Sequence, residues 1–261
     1  MKIQAAEGPP LYGAEPTGGV NSAQPQAGCG LPTFDVPLAG EPGIRNQKSV
    51  LVRSFGLVEY LPTWQAMKEF TVARSADTRD EIWLLQHPPV YTQGLAGKPE
   101  HLLRANGIPV VKIDRGGQIT YHGPGQIVVY LLLDLRRWKL KVRELVRLME
   151  QAVIDLLAEY GVTAQGREDA PGVYIGDAKI ASLGLKLRNG CCYHGMALNV
   201  AMDLAPFAGI NPCGYAGLSV TQARDVGVKA SLAALEQQLA QNLTHLLQQH
   251  LQGKTPHEHH Q

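Results

Sequence analysis

The chain has 261 residues, a formal net charge of +1, 44% hydrophobic and 18% charged residues, and 4 cysteines. That is enough chain for one sizeable core. The near-neutral charge gives no whole-chain field for nucleic acid, and a few scattered cysteines make no disulfide scaffold. The longest apolar run, Ile127 to Leu133, falls far short of the roughly 20 residues that a membrane helix needs. The first residues, MKIQAAEGPPLYGAEP, hold no apolar stretch of signal-peptide length. The expectation is a cytoplasmic protein with reduced thiols, with no nucleic-acid or membrane partner.

Residues 1–47 are rich in Gly, Pro, Ala and Gln, too poor in large apolar side chains to offset chain entropy, and are expected to be disordered. The tail 253–261 reads the same way. Between them, 48–252 is expected to form a single domain. Val50–Leu57 is strand-like. Leu61–Ala73 is helical, with Trp64, Met67 and Phe70 or Thr71 on one face. Glu81–Gln86 is a strand stopped by His87-Pro88-Pro89, and Val110–Ile113 is a short one. Gln126–Leu135 is apolar through its middle, the pattern of a central strand covered on both faces. Val142–Tyr160 is the clearest helix, with Gly161 to close it. Gly172–Ile175, Lys179–Leu187 and Tyr193–Val200 read as strands, and Ser231–Leu251 as a closing helix. Strands with interspersed helices imply one α/β or α+β domain, a mixed sheet flanked by helices.

Four segments carry residues suited to chemistry. Arg115-Gly116-Gly117-Gln118-Ile119-Thr120-Tyr121-His122 offers two glycines whose backbone can approach a ligand, followed by a tight Gly123-Pro124-Gly125 turn; a glycine-punctuated hairpin explains it equally well. In Gly176–Gly184, Lys179 stands at the mouth of an apolar strand, as a solvated lysine or as one desolvated enough to take a proton. In Tyr193–Val200, Gly195 and Ala197 flank Met196, which leaves either an alkyl-sized slot or ordinary packing. Asn211-Pro212-Cys213-Gly214 sets a cysteine on a sharp turn, as a nucleophile or as an inert thiol. Cys191, Cys192 and His194 lack the spacing of a metal site, so no metal is expected. No phosphate loop is present.

Taken together, HPPVYTQG (87–94), RGGQITYHGPGQ (115–126), GDAKIASLG (176–184), YHGMALNV (193–200) and NPCGYAGL (211–218) resemble the lipoyl(octanoyl) transferase family, in the family's order. The resemblance implies a fold shared with lipoate ligases and biotin protein ligases. It implies that Cys213 carries the acyl group as a thioester and that Lys179 activates it. Arg115 to His122, Ser182, Leu183, Gly184, Gly195, Met196 and Ala197 would then form the acyl pocket. The reaction implied is transfer of octanoyl from acyl carrier protein to a lysine of a lipoyl domain, in 2-oxoacid dehydrogenase complexes or the glycine cleavage H protein. This is the first step of protein lipoylation in endogenous lipoate synthesis. No cofactor of its own is expected, because the donor carries the phosphopantetheine. An ATP-dependent ligase of the same fold and a non-catalytic acyl-binding module are the competing readings. The basic run Arg136–Arg143 reads as a solvated helix start or as a dock for the acidic carrier protein.

Overall fold

The computed structural model describes the backbone of Thr33–Val36 and residues 50–212 and 217–253. A strand, β1 (Thr33–Val36), lies on the edge of a mixed sheet next to β2 (Val50–Leu57). The chain continues through helix α1 (Tyr60–Ala73) into β3 (Asp80–Gln86) and the short β4 (Val90–Gln93), then β5 (Val110–Lys112) and β6 (Ile119–His122). Next come β7 (Gln126–Asp134), helix α2 (Val142–Ala158), β8 (Gln165–Gly166), β9 (Gly172–Ile175), β10 (Ala178–Arg188) and β11 (Cys191–Asn199). Helix α3 (Leu232–Leu251) closes the described chain.

The large sheet runs β1-β2-β3-β7-β11-β10-β9-β8, and a second sheet runs β5-β4-β6. Within the large sheet β2 pairs with β3 in parallel and the other neighbours are antiparallel. The architecture is therefore the mixed sheet flanked by helices that the strand and helix pattern implied. β7 is central, and its apolar residues Ile127–Leu133 are all buried. Its alternating side chains feed two cores. Ile127, Val129, Leu131 and Leu133 pack with α2 and α3, while Val128, Tyr130 and Leu132 pack with Met67 of α1 and Ala197 of β11.

α2 turns Leu145, Leu148, Met149, Ala152, Val153, Leu156 and Leu157 inward as its spacing demanded. Gly161 follows with φ +74, and Val162 N–H reaches back to Leu157 O at 3.0 Å, which closes the last turn. At α3 the Ser231 side chain accepts the Ala234 N–H at 3.2 Å as an N-cap.

Two expectations change. The disorder expected through residue 47 does not extend to Thr33–Val36, which pair antiparallel with Val50–Arg53. The edge of β2 offers unpaired backbone groups that such a segment can satisfy. The other residues of 1–49, and 254–261, lie outside the described residues. The basic run after β7 is structural at its start. Arg137 Nη1 donates to Asp80 Oδ2 at 3.1 Å and to Thr78 O at 2.9 Å, and Arg136 pairs with Asp134 at 3.0 Å. Asp80, fully buried, also takes Arg74, the Trp138 indole N–H at 2.6 Å and the Asp134 N–H at 2.8 Å. Removing one partner leaves buried charge less well matched. Arg137→Ala should lower stability by about 1–3 kcal/mol in urea unfolding.

Candidate active site

The small sheet brings β6 and the loop before it against the α1-facing side of the large sheet. A pocket lies between them. Its walls include Arg115, Gly117, Gln118, Ile119, Thr120 and His122 on one side, and Ser182, Leu183, Gly184, Gly195, Met196 and Ala197 on the other. Gly195 stands opposite Gly184 in the β10–β11 register and opposite Tyr130 in β7–β11. Met196 packs among α2 and α3 side chains. The space thus comes from the small residues either side of it, Gly195 and Ala197, on the pocket face of the strand. A Cβ at Gly195 would collide with Val129 O, so this position holds only glycine without shifting β7.

Gly116 and Tyr121 of the expected set stand outside the lining. Gly116 is spent on the fold, its N–H donating to Leu185 O at 2.9 Å. Strand alternation turns Tyr121 away from the pocket, into a cluster with Tyr91 and Phe207. Gly117, with φ +87, needs a left-handed backbone that glycine adopts freely.

Lys179 is 2% exposed and lines the same pocket. Its Nζ donates to Pro171 O at 3.0 Å and lies 5.3 Å from the centre of the Tyr174 ring. Gly172 is required here: a Cβ would collide with Lys179 Cε. Cys213 lies outside the described residues. The described residues on either side of it reach this region of the fold. Pro212 lines the pocket, and beyond the segment Lys179 N–H donates to Ser219 O at 2.8 Å while Thr221 N–H donates to Lys179 O at 2.9 Å.

The pocket also holds residues that no spacing along the chain brought together: Tyr60, Val128, Tyr130 and His194. Behind them lies a buried polar network. His122 Nδ1 donates to Gln126 Oε1 at 2.7 Å, Gln126 donates to Asn199 Oδ1 at 2.9 Å, and Asn199 donates to Thr221 O at 3.0 Å. One hydrogen-bonded chain therefore runs from His122 to the strand segment beside Lys179. Arg115 folds back to donate to Thr92 O at 2.7 Å and Gly116 O at 2.9 Å, which shapes its own loop. Asp114 accepts from Trp64 Nε1 at 2.9 Å, from the Tyr193 hydroxyl and from His194 Nε2 at 3.2 Å. Burial alone would raise its carboxyl, but the hydrogen bonds from His194, Tyr193 and Trp64 hold it well below the usual range.

Burial pushes His87 down to about 4 and His122 down to about 3. Both are neutral near pH 7. His87 Nδ1 donates to Val58 O at 2.7 Å and its Nε2 accepts from the Tyr130 hydroxyl at 2.8 Å. In the unfolded chain each would take a proton near pH 6.5. Unfolding therefore takes up protons below that pH, and stability should fall as pH drops from about 6.5 toward 4. Thermal unfolding at stepped pH checks this, and His122→Gln should flatten the slope.

Cys191 and Cys192 lie buried in β11, and burial raises the Cys192 thiol to about 12. Neither is a thiolate near neutrality. Among the described residues no helix is long and apolar enough to cross a membrane.

Fold and pocket together define an α/β domain with a glycine-lined cleft between its two sheets. Residues 59–245 match the lipoyl protein ligase A/B catalytic domain. The octanoyltransferase of Nitrosomonas europaea is 65% identical over 199 residues, spanning 76% of this chain and 98% of that one. That of Nitrosospira multiformis is 67% identical over 198 residues, spanning 76% and 92%. Among solved structures, the putative lipoate protein ligase Ta0514 of T. acidophilum with bound lipoic acid superposes with a TM-score of 0.61 at 17% identity, covering 74% of this chain and 84% of that one. Lipoate-protein ligase A bound with ATP superposes with a TM-score of 0.58 at 16% identity, covering 75% and 83%. At those identities the two structures speak for the fold. The chain belongs to the octanoyltransferase family, a family of acyltransferases within the lipoyl protein ligase A/B fold.

Proposed function

We propose that this enzyme transfers octanoyl from acyl carrier protein to a lysine amine of lipoyl domains, through a thioester on Cys213 with Lys179 as the general base. The observation that carries the reading is the buried Lys179 at a pocket walled by Gly184, Gly195 and Ala197, with Pro212 beside it. A free thiol ionises near about 8.5, so little thiolate exists at neutrality unaided. A neutral Lys179 takes the thiol proton, and as an ammonium it steadies the thiolate.

Cys213 sulfur attacks the donor carbonyl, the tetrahedral oxyanion collapses, and the phosphopantetheine thiol leaves with a proton. This exchanges one thioester for another at little net energy. The acceptor amine then attacks, loses a proton to Lys179, and expels Cys213 to leave an amide. The second step runs downhill, so neither ATP nor a bound cofactor enters. Arg115 to His122 shape one wall for the acyl chain. The 2-oxoacid dehydrogenase lipoyl domains and the glycine cleavage H protein are the acceptors we assign, in a reducing cytoplasm that keeps the thiol free.

The test is to mix the enzyme with octanoyl carrier protein without ATP and weigh it intact. A gain of one octanoyl group, discharged by a lipoyl domain, is expected. Transfer that requires ATP would replace this reading with a ligase, and reversible uptake without a mass gain would replace it with a binding module. Chain-length choice follows from the apolar walls. Each buried methylene is worth about 0.8 kcal/mol, so a hexanoyl donor should lose about 1.6 kcal/mol, roughly fifteenfold in kcat/KM. Competition between the two donors measures it.

A further inference from the structure

The inward face of α2 is apolar except at Glu150, a residue only 9% exposed. Its Oε1 accepts the Gly172 N–H at 2.9 Å. That N–H belongs to the same peptide group as the Pro171 carbonyl, and the Pro171 oxygen accepts from Lys179 Nζ at 3.0 Å. Carboxylate, peptide and lysine are therefore joined in series. Two glycines make room for the arrangement. A Cβ at Gly166 would stand 2.9 Å from Glu150 Oε2, and one at Gly172 would stand 2.8 Å from Lys179 Nζ.

A negative charge hydrogen-bonded to a peptide N–H polarises that peptide and strengthens its carbonyl as an acceptor. The effect is large where water is excluded. We infer that Glu150 is a positioning residue for the reaction: through the Pro171–Gly172 peptide it aims the Lys179 amine into the pocket and biases its charge. The inference rests on Lys179 acting as proposed above.

The energetics point the same way. Burial pushes the Glu150 carboxyl up, against the pull of the Gly172 N–H, Lys179 and Arg147, with Glu168 adding to the push. An ionised group raised in the fold subtracts from stability at neutral pH. The carboxylate is thus held against a burial penalty, and Lys179 is among the charges that offset it.

Glu150→Gln separates the two roles, because glutamine keeps the acceptor for Gly172 N–H and removes the charge. The melting temperature should hold or rise, and the KM for octanoyl carrier protein should hold. Single-turnover acylation should slow by on the order of tenfold, since hydrogen bonds to charged groups are worth that much. The groups facing Glu150 are Lys179 from β10, Arg147 on its own helix and Glu168 before β9. The group facing Lys179 across the strand pair is Tyr174. With the negative charge gone, a proton leaves the Cys213–Lys179 pair more readily, so the rising limb of the pH–rate profile should move to lower pH.

In a Lys179→Met background Glu150→Gln should have no further effect. The inference is overturned if Glu150→Gln acylates at the parent rate with an unmoved profile, or if it slows Lys179→Met equally. Should Glu150→Gln fail to fold, Glu150→Asp carries the test. It keeps the charge and shortens the reach, and must slow acylation only when Lys179 is present. A Lys179→Met enzyme that acylates at the parent rate would instead remove the base assignment itself, independently of Glu150.

Discussion

Protein carrying Cys213→Ala should gain no octanoyl group and transfer none, a loss of at least about a thousandfold against the parent. The reaction needs a sulfur that can both attack a thioester and leave from one. Alanine supplies neither function, and among the described residues no other thiol is placed to substitute. Cys191 and Cys192 are buried in β11, and the Cys192 thiol, raised to about 12 by burial, accepts no role as a thiolate near pH 7. Its Sγ is instead within hydrogen-bond reach of Leu131 O at 3.4 Å. Cys191→Ala and Cys192→Ala should therefore lose some stability from the deleted sulfur and keep acylation. Intact mass after incubation with octanoyl carrier protein reads all three variants. An octanoyl adduct on Cys213→Ala, or its loss from Cys191→Ala, would reassign the nucleophile.

Much of this fold is legible in the chain because its elements have clean periods. The α2 stripe from Leu145 to Leu157 predicts its buried face, and the run Ile127–Leu133 predicts a strand covered on both sides. The short strands β4, β6 and β8 carry no such signal. Val90–Gln93 and Ile119–His122 are four residues each, and they exist because they pair with one another across the intervening β5 and its loops. The site divides in the same way. Lys179, Gly184, Gly195 and Ala197 stand out as small or charged residues at strand positions. Tyr60 and Tyr130 do not, because their place in the pocket depends on α1 and β7 meeting across the sheet. Nor does Glu150 stand out: on α2 it looks like any helical glutamate until Gly172 is seen against it. Tyr121 errs in the other direction. It shares a motif with His122, but adjacent strand residues face opposite sides, so only one of the two lines the pocket.

Lys179→Ala should slow acylation by about 10²–10⁴-fold at neutral pH, the range of a lost general base. The loss should shrink as pH rises, because the Cys213 thiol then ionises unaided and needs no partner to take its proton. Two features of the surroundings make the substitution informative. Lys179 is 2% exposed, so no bulk buffer base replaces it readily. Its backbone is held by Ser219 O at 2.8 Å and by the Thr221 N–H at 2.9 Å, so truncating the side chain should leave the strand and the residues that follow the Cys213 segment in place. Lys179→Arg separates charge from basicity. The guanidinium stays protonated at every working pH, so it can steady a thiolate and cannot take the thiol proton. If charge alone mattered, Lys179→Arg would approach the parent rate once it fitted the pocket. If proton transfer matters, it should stay slow at neutrality and recover with pH as Lys179→Ala does. Single-turnover acylation of the three proteins across pH 6 to 10 decides between them, and a flat, parent-like profile for Lys179→Ala would sink the dyad.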